Sequence, residues 1–512
     1  MNKHNRLEWL IIIATLVRCW LAITVELGND EVYYLTYARH LQWNYFDHPP
    51  MVAILIRITT LNLVCTGDVF VRLGPIILAA INTWLIYKTV KKLHSPDAGF
   101  VAALLFTASP YCSVIAGTFI MPDAPHLFFY ILSVSLLTDV IKESTPAGKR
   151  NVSLLLFGLI SGLCIMSKVH GVFLWLGFFV YIFLYKRALL QSKYLYAGAL
   201  ITVLIVSPIF FWNLRNSFIT FTFHRSRVIP ESLINPVGLL KEAGGNILYN
   251  NPVNFILILL VLMYGRQMLK VCTNRLLLCL ALPLILIIWL MSLFRDTLPH
   301  WSGPAYVPLI MLAAFHIADQ KLISFRRFNR WKKASHMAIG VLIVGLVLGV
   351  VIVKYYPGSM GNKNWNNLGD GDATLDMYGW KEAAIEFESL FRKNKEQGIT
   401  TTSFIISNKW FPGAHIDNYM VQPMGLNFVA LGDMADIHTY AWLNEYRKKL
   451  QPGDDAYFVT VSNYWKDPAE VYSTRFGHIE KPITYLQYRG GKPARVFFFY
   501  LLRNYKGKLS DF

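Results

Sequence analysis

Apolar and polar positions in this chain fall into long blocks rather than short alternations. Over the first 355 residues, apolar windows of about 15–20 residues recur, each followed by a polar connection. That is the length a helix needs to cross a bilayer. The pattern predicts about eleven spans, at approximately 7–25, 72–90, 98–115, 125–141, 152–167, 171–185, 194–212, 253–268, 276–294, 303–320 and 336–355. No Ala-x-Ala-type cleavage site follows the first, so it reads as a retained anchor and not as a signal peptide.

After Tyr356 the pattern changes to polar sequence rich in Asn, Gly, Asp, Trp and Tyr. Trp380 to Phe391 has helical amphipathic spacing. Thr401–Ser407, Ala456–Ser462 and Arg495–Leu502 are β-type runs separated by turn residues. The expected architecture is therefore a polytopic α-helical membrane domain over 1–355 and a small extracytoplasmic α/β domain over 356–512, closed by a C-terminal strand. Asn408, Trp410, His415, Asp417 and Tyr419 stand out in that second domain. Packing against the membrane part, or shaping an acceptor groove, is the expected role for them.

Composition agrees with this class. Of 512 residues 54% are hydrophobic and only 16% charged, against roughly 25% charged in a soluble protein; mean hydropathy is +0.39. The formal charge of +18 would point to nucleic acid in a soluble chain, but here its sources are placed otherwise. Lys88/Lys91/Lys92, Lys142/Lys149/Arg150, Lys186/Arg187/Lys193, Arg266/Lys270/Arg275 and Lys321 to Lys333 occupy connections that alternate with less basic ones. This is the distribution of cytoplasmic loops in the positive-inside rule. With the N terminus inside, 26–71, Pro122–Asp123, Lys168–His170, 213–251, 295–302 and 356–512 fall outside. The six cysteines show no metal-site spacing, and 356–512 contains none.

The first exterior stretch, NDEVYYLTYARHLQWNYFDHPP from Asn29 to Pro50, gathers most of the chemistry. Asp30, Glu31, Arg39, His40, Asp47 and His48 lie within about twenty residues, among six aromatics. Glu31 to Trp43 has helical spacing, is too short and polar to span, and is expected along the membrane surface; Met51 to Val64 is a second surface-helix candidate. Asn29 or Asp30 at the helix start has a plainer use as an N-cap, but a cap leaves Asp47 and His48 without a reason.

Other exterior turns repeat the theme. Asp123 begins a span, again a place for a cap, and Ser167-Lys168-Val169-His170-Gly171 sets a Lys and a His between apolar segments. A lysine on that side runs against the charge rule. An anionic headgroup accounts for it, as does snorkelling. The loop from Trp212 to Tyr249 carries Arg215, His224, Arg225 and Arg227 interleaved with Phe218, Phe221 and Phe223, which suits phosphate approached through lipid headgroups. Arg295 to Trp301 forms a further polar turn.

Exterior carboxylates and cations beside a bilayer fit sugar transfer from a lipid phosphate. A carboxylate near the acceptor hydroxyl serves as general base, and cations stabilise the charge left on the phosphate. A transporter would instead want ionisable residues inside spans and repeated broken helices. A scaffold presenting 356–512 would leave Asp30, Asp47 and Asp123 idle.

The pattern DEVYY…ARHL…YFDHPP resembles the first exterior loop of the C-type glycosyltransferase superfamily, in the branch of lipid A aminoarabinose transferases and bacterial relatives of dolichyl-phosphate-mannose protein mannosyltransferases. The resemblance implies that Asp30, with Glu31 beside it, matches the catalytic carboxylate. Tyr45–Pro50 matches a Tyr-Phe-Glu-Lys-Pro-Pro motif with Asp47 and His48 substituted. Asp123 matches the second Asp, Ser167-Lys168 a Thr-Lys-Gly turn, and His224 to Arg227 a later loop. His48, Lys168, His170, Arg215, Arg225 and Arg227 are then the expected donor-phosphate and sugar contacts. Some members hold a divalent metal, for which Asp47 and His224 are the matching ligands. The implied activity is inverting transfer from a polyprenyl-phosphate-linked sugar to a glycolipid or lipid-linked glycan, in a bacterial inner membrane with a periplasmic site. The alternative acceptor is a protein hydroxyl. Membrane lipids are expected partners, and nucleic acid is not.

Overall fold

A computed structural model describes residues 3–228, 234–263, 265–318 and 325–507. The chain divides into two compact units. Met1–Ala22 with Leu41–Leu346 forms the first, and Ile23–His40 with Val347–Phe512 the second. The segment that carries Asp30 thus belongs with the C-terminal residues.

The first unit is helical. Its helices are α1 (Lys3–Thr24), α3 (Met51–Thr59), α4 (Asp68–Leu93), α5 (Pro96–Ala108), α6 (Asp123–Ile141), α7 (Ala147–Ser167), α8 (Val172–Tyr185), α9 (Lys193–Arg215), α10 (Ile219–Val228), α11 (Pro236–Tyr249), α12 (Pro252–Leu262), the single turn α13 (Gly265–Met268), α14 (Cys272–Ser292), α15 (Gly303–Ala318) and most of α16 (Phe325–Tyr355); α2 (Asn29–Arg39) lies in the second unit. Among the described residues eight helices are long and apolar enough to cross a membrane, and the chain is a multi-pass membrane protein.

Three of the eleven expected spans are shorter helices. The 98–115 segment stops at Ala108, because Ser109-Pro110 leads into a π-helical turn over Tyr111–Ile115. Segment 171–185 gives the 14-residue α8. Segment 253–268 gives the 11-residue α12, which meets α11 at a bend of 103°. At that bend Asn251 accepts from the amide of Val253 and Pro252 opens the next helix, one residue before the expected start; the helix falls short at its other end, at Leu262.

Polar contacts tie the membrane helices together. Gly158 of α7 lies against the backbone of Gly198 in α9, and a Cβ there would meet the Gly198 carbonyl oxygen at 2.1 Å. Across the same crossing Thr202 Oγ1 donates to the Gly158 carbonyl at 2.7 Å, and the Trp175 indole donates to Ser161 and Thr202. Small residues let the backbones approach, and the hydroxyls are satisfied without water.

The second unit is built on a six-stranded sheet: β1 (Phe404–Ser407), β2 (Asn427–Ala430), β3 (Ala456–Val461), β4 (Phe476–Ile479), β5 (Ile483–Arg489) and β6 (Lys492–Tyr505), in the order β2-β1-β3-β6-β4 with β5 also on β6. The β1–β2 and β1–β3 pairs are parallel and those of β6 antiparallel. The C-terminal strand therefore does not close an edge. At 14 residues it is long enough to pair β3 on one side and β5 then β4 on the other. The helix expected at Trp380–Phe391 is α17 (Trp380–Glu396). The short helix α18 (Trp410–Ile416) follows β1.

The helix expected at Glu31–Trp43 ends at Arg39, and Glu31 to Ala38 are all buried. It does not lie as a lone amphipathic helix on a surface, because aromatic and charged partners from 376–440 surround it. The second candidate, Met51–Val64, stops at Thr59; Leu61, Asn62 and Leu63 have positive φ and cannot continue a helix.

Candidate active site

In the second unit, α2 presents Asp30. Its N-cap is Gly28, and Glu31 closes the capping box: its carboxylate accepts from the Gly28 amide at 2.9 Å. The capping work that sequence offered to Asn29 or Asp30 is thus done by Glu31, which is buried. Glu31 is placed as a helix-start residue. Asp30, one position earlier, is exposed.

The segment 23–40 is anchored along its length. The Glu26 carboxylate accepts from the Trp380 and Lys381 amides at the start of α17. The Leu27 amide donates to the Tyr419 hydroxyl at 3.0 Å. The Asn29 side chain donates to Asp376 at 2.7 Å and lies 3.0 Å from His415 Nε2. Tyr33 packs on Trp410 and takes the Thr439 amide on its hydroxyl. At the other end Arg39 donates to Asn418 and sits 3.8 Å from the buried Asp417, which also accepts from Arg447. Burial works against a charged Asp417, yet Arg447 and Arg39 hold its carboxyl below the usual range. Trp410, His415, Asp417 and Tyr419, prominent in the sequence, all converge on residues 23–40. Their partner is this segment, where an acceptor groove was one expectation.

In the first unit, Asp123 and Lys168 form a buried ion pair. Lys168 Nζ lies 2.9 Å from each Asp123 carboxylate oxygen, and the Tyr111 hydroxyl donates to Oδ1 at 2.9 Å. The N-cap of α6 is Pro122, so Asp123 is no cap. Tyr111 was not legible as a site residue; it sits in an apolar run, and only the π-helical turn aims it here. His126, His170 and His300 lie within electrostatic reach of the pair. His126 Nδ1 contacts the Cys164 carbonyl, while His126 Nε2 and His170 Nδ1 are buried with no hydrogen-bond partner among the described residues. His48 is half-buried and within electrostatic reach of His170. A second buried network joins Glu242 to Asn246 and Thr297, and Ser302 to Asn246, fixing the turn that carries His300.

The remaining expected contacts fall on α9 and α10. Arg215, at the end of α9, and Arg225, on α10, are exposed. The side chains of His224 and Arg227 lie outside what the structure describes. For the metal reading, Asp47 is half-buried, and among the described residues no group of three or more His, Cys, Asp or Glu is arranged to hold an ion. Asp47 alone does not make a site.

Residues 47–212 match the family model described as dolichyl-phosphate-mannose-protein mannosyltransferase. A lipid A galacturonosyltransferase, RgtD, of Rhizobium johnstonii is 23% identical over 353 residues, covering 68% of this chain and 69% of the relative. Among solved structures, ArnT from Cupriavidus metallidurans in the apo state matches with a TM-score of 0.63 at 12% identity, over 96% of this chain and 97% of that one. The same protein bound to undecaprenyl phosphate gives 0.62 at 13% identity with the same coverage. An Archaeoglobus fulgidus oligosaccharyltransferase gives 0.52 at 14% identity, over 94% of this chain and 73% of that one. The fold is that of the C-type membrane glycosyltransferases, as the first-loop motif implied.

Proposed function

We propose that this chain transfers a sugar from a polyprenyl-phosphate-linked donor to a glycolipid of the lipid A type. The observation that carries the reading is the exposed Asp30 carboxylate at the start of α2, relieved of capping by Glu31. The similar galacturonosyltransferase acts on lipid A by its name, and the similar ArnT fold has been seen with undecaprenyl phosphate. Both support this donor and acceptor class. The mannosyltransferase match over 47–212 supports the alternative of a protein hydroxyl as acceptor.

In this reading Asp30 removes the proton from the acceptor hydroxyl as its oxygen attacks the anomeric carbon. The bond from that carbon to the phosphate oxygen breaks, and the polyprenyl phosphate leaves with the electron pair. Lys168, with Arg215, Arg225 and Arg227, supplies positive charge for the phosphate, and His48 and His170 supply hydrogen bonds. Asp123 holds the Lys168 ammonium in place. One displacement inverts the anomeric carbon. The site faces the periplasm from the inner membrane, an orientation supported by the five basic clusters named from the sequence, which then lie on the cytoplasmic side.

Mass spectrometry of glycolipids and exported glycoproteins, with wild-type or Asp30→Asn protein, tests this. Loss of one sugar from a glycolipid in the variant, with proteins unchanged, is the expected result. Loss of a hexose from Ser or Thr of exported proteins would move the acceptor to the alternative. Full activity of Asp30→Asn would remove the base.

A further inference from the structure

The side chain preceding Asp30 is held in a three-member chain. Asn29 lies between Asp376 and His415, at 2.7 Å and 3.0 Å. A carboxylate only accepts, so the Asn29 amide nitrogen faces Asp376, and its oxygen takes the proton of His415 Nε2. His415 is buried, stacked on Trp380 at 4.2 Å with rings 9° apart, and burial pushes its pKa well below the usual value, so the ring is neutral. Asp376 sits on a turn over Ala373–Met377 that is capped by Asp372, itself locked by Arg489. Both partners of Asn29 are therefore rigidly mounted.

Asp376 is not a satisfied structural carboxylate. Its Oδ2 accepts from Asn29, but its Oδ1 is buried without a hydrogen-bond partner among the described residues. The charged and titratable groups facing it are Arg495 of β6, Asp30 of α2, Asp372 at the start of its own turn, and Tyr464. Arg495 is already engaged with Gln487 and the carbonyls of Leu375 and Tyr378. Leaving a buried carboxylate oxygen unpaired is costly, and for stability alone an amide or apolar side chain would serve.

We propose that Asp376 is a positioning residue for Asp30: through Asn29 it fixes the first turn of α2, so that residues 373–377 of the C-terminal region govern the aim of the base. The proposal rests on the assignment of Asp30 as base. Burial, with Asp30 and Asp372 nearby, pushes the Asp376 carboxyl up to about 7 against the opposing pull of Arg495 and Asn29. The ionised form is the stronger acceptor for Asn29, so turnover should rise as pH passes upward through that value.

The test is sugar transfer by the full-length purified protein, from a polyprenyl-phosphate sugar to extracted glycolipid, between pH 5.5 and 8.5. Asp376→Ala and Asn29→Ala should lower kcat about 10–100-fold with KM within about twofold, the loss expected for a misaimed group. Asp376→Asn, which keeps an acceptor for Asn29, should recover most activity at pH 6 but lose the rise near pH 7. An Asp376→Asn profile that parallels wild type, or Asp376→Ala with unchanged kcat, overturns the proposal. Asp30→Asn is measured alongside. If it is active, the base assignment fails; if it is inactive while the Asp376 variants behave as wild type, only the positioning role fails.

Discussion

Lys168 and Asp123, 45 positions apart, meet in a two-oxygen ion pair with Nζ 2.9 Å from each carboxylate oxygen and both side chains buried. Removing two charges from water offsets most of their attraction, so such a pair is weak support for stability as a pair but costly to break from one side. It lies within electrostatic reach of His126, His170 and His300, and His126 Nε2 and His170 Nδ1 are buried with no hydrogen-bond partner among the described residues.

Lys168→Met and Asp123→Asn should each destabilise the protein, by about 3–5 kcal/mol, because each strands or exposes the other partner. The double variant should recover much of that loss. If Lys168 serves the donor phosphate, the recovered double variant remains inactive. Thermal unfolding and transfer activity on the same three preparations separate the roles. A stable, active double variant would make the pair purely structural.

Orientation is checked by labelling. In a background without the native cysteines, Cys at Asn364 should react with an impermeant maleimide added outside intact inner-membrane spheroplasts. Cys at Gly148, beside Lys149 and Arg150, should react only after permeabilisation. Both positions are exposed in the fold. The opposite pattern would place Asp30 in the cytoplasm and end the lipid-donor reading.

The membrane fold was legible because bilayer-length apolar windows and basic clusters are one-dimensional signals. Segments 98–115, 171–185 and 253–268 form shorter helices than their apolar runs suggest; in the first, Ser109-Pro110 redirects the chain without lowering its hydropathy much. The acids Asp30 and Asp123 stood out as candidates by motif, while their capping alternatives were answered only by geometry, through the Gly28/Glu31 capping box and the Pro122 N-cap. Asn29 with Asp376, separated by 347 positions, and Tyr111 with Asp123 were hidden. No local periodicity encodes a contact made by a distant turn.

Packing of α7 on α9 gives a sharp expectation. Gly158→Ala places its Cβ 2.1 Å from the Gly198 carbonyl oxygen, a backbone atom that no rotamer change can move. Separation of the helices should cost about 1–3 kcal/mol and weaken the Thr202 bond to the Gly158 carbonyl. Gly148→Ala, with open space around it, is the matched control. A lower Tm in the first and an unchanged Tm in the second is the expected outcome; equal values would mean that the crossing yields to an added methyl without cost.

Asp376 makes the stability of the protein pH-dependent in a predictable direction. Its carboxyl is raised to about 7 in the folded chain, chiefly by burial, and reverts to about 3.9 when unfolded. Below pH 4 both states carry the proton and nothing is lost. As pH rises from 4 to 7 the unfolded chain ionises first, so stability falls; above 7 both are ionised and the loss levels off, at roughly 4 kcal/mol at most. Asp417 has the opposite sign: its lowered carboxyl favours the fold above its unfolded value and gives that up in acid. Asp376→Asn removes the first effect and keeps the second. The Tm of Asp376→Asn minus that of wild type should therefore grow between pH 5 and pH 8. A gap that stays constant, measured in the same detergent and salt, would mean that Asp376 is ionised throughout and that its unpaired oxygen is reached by water.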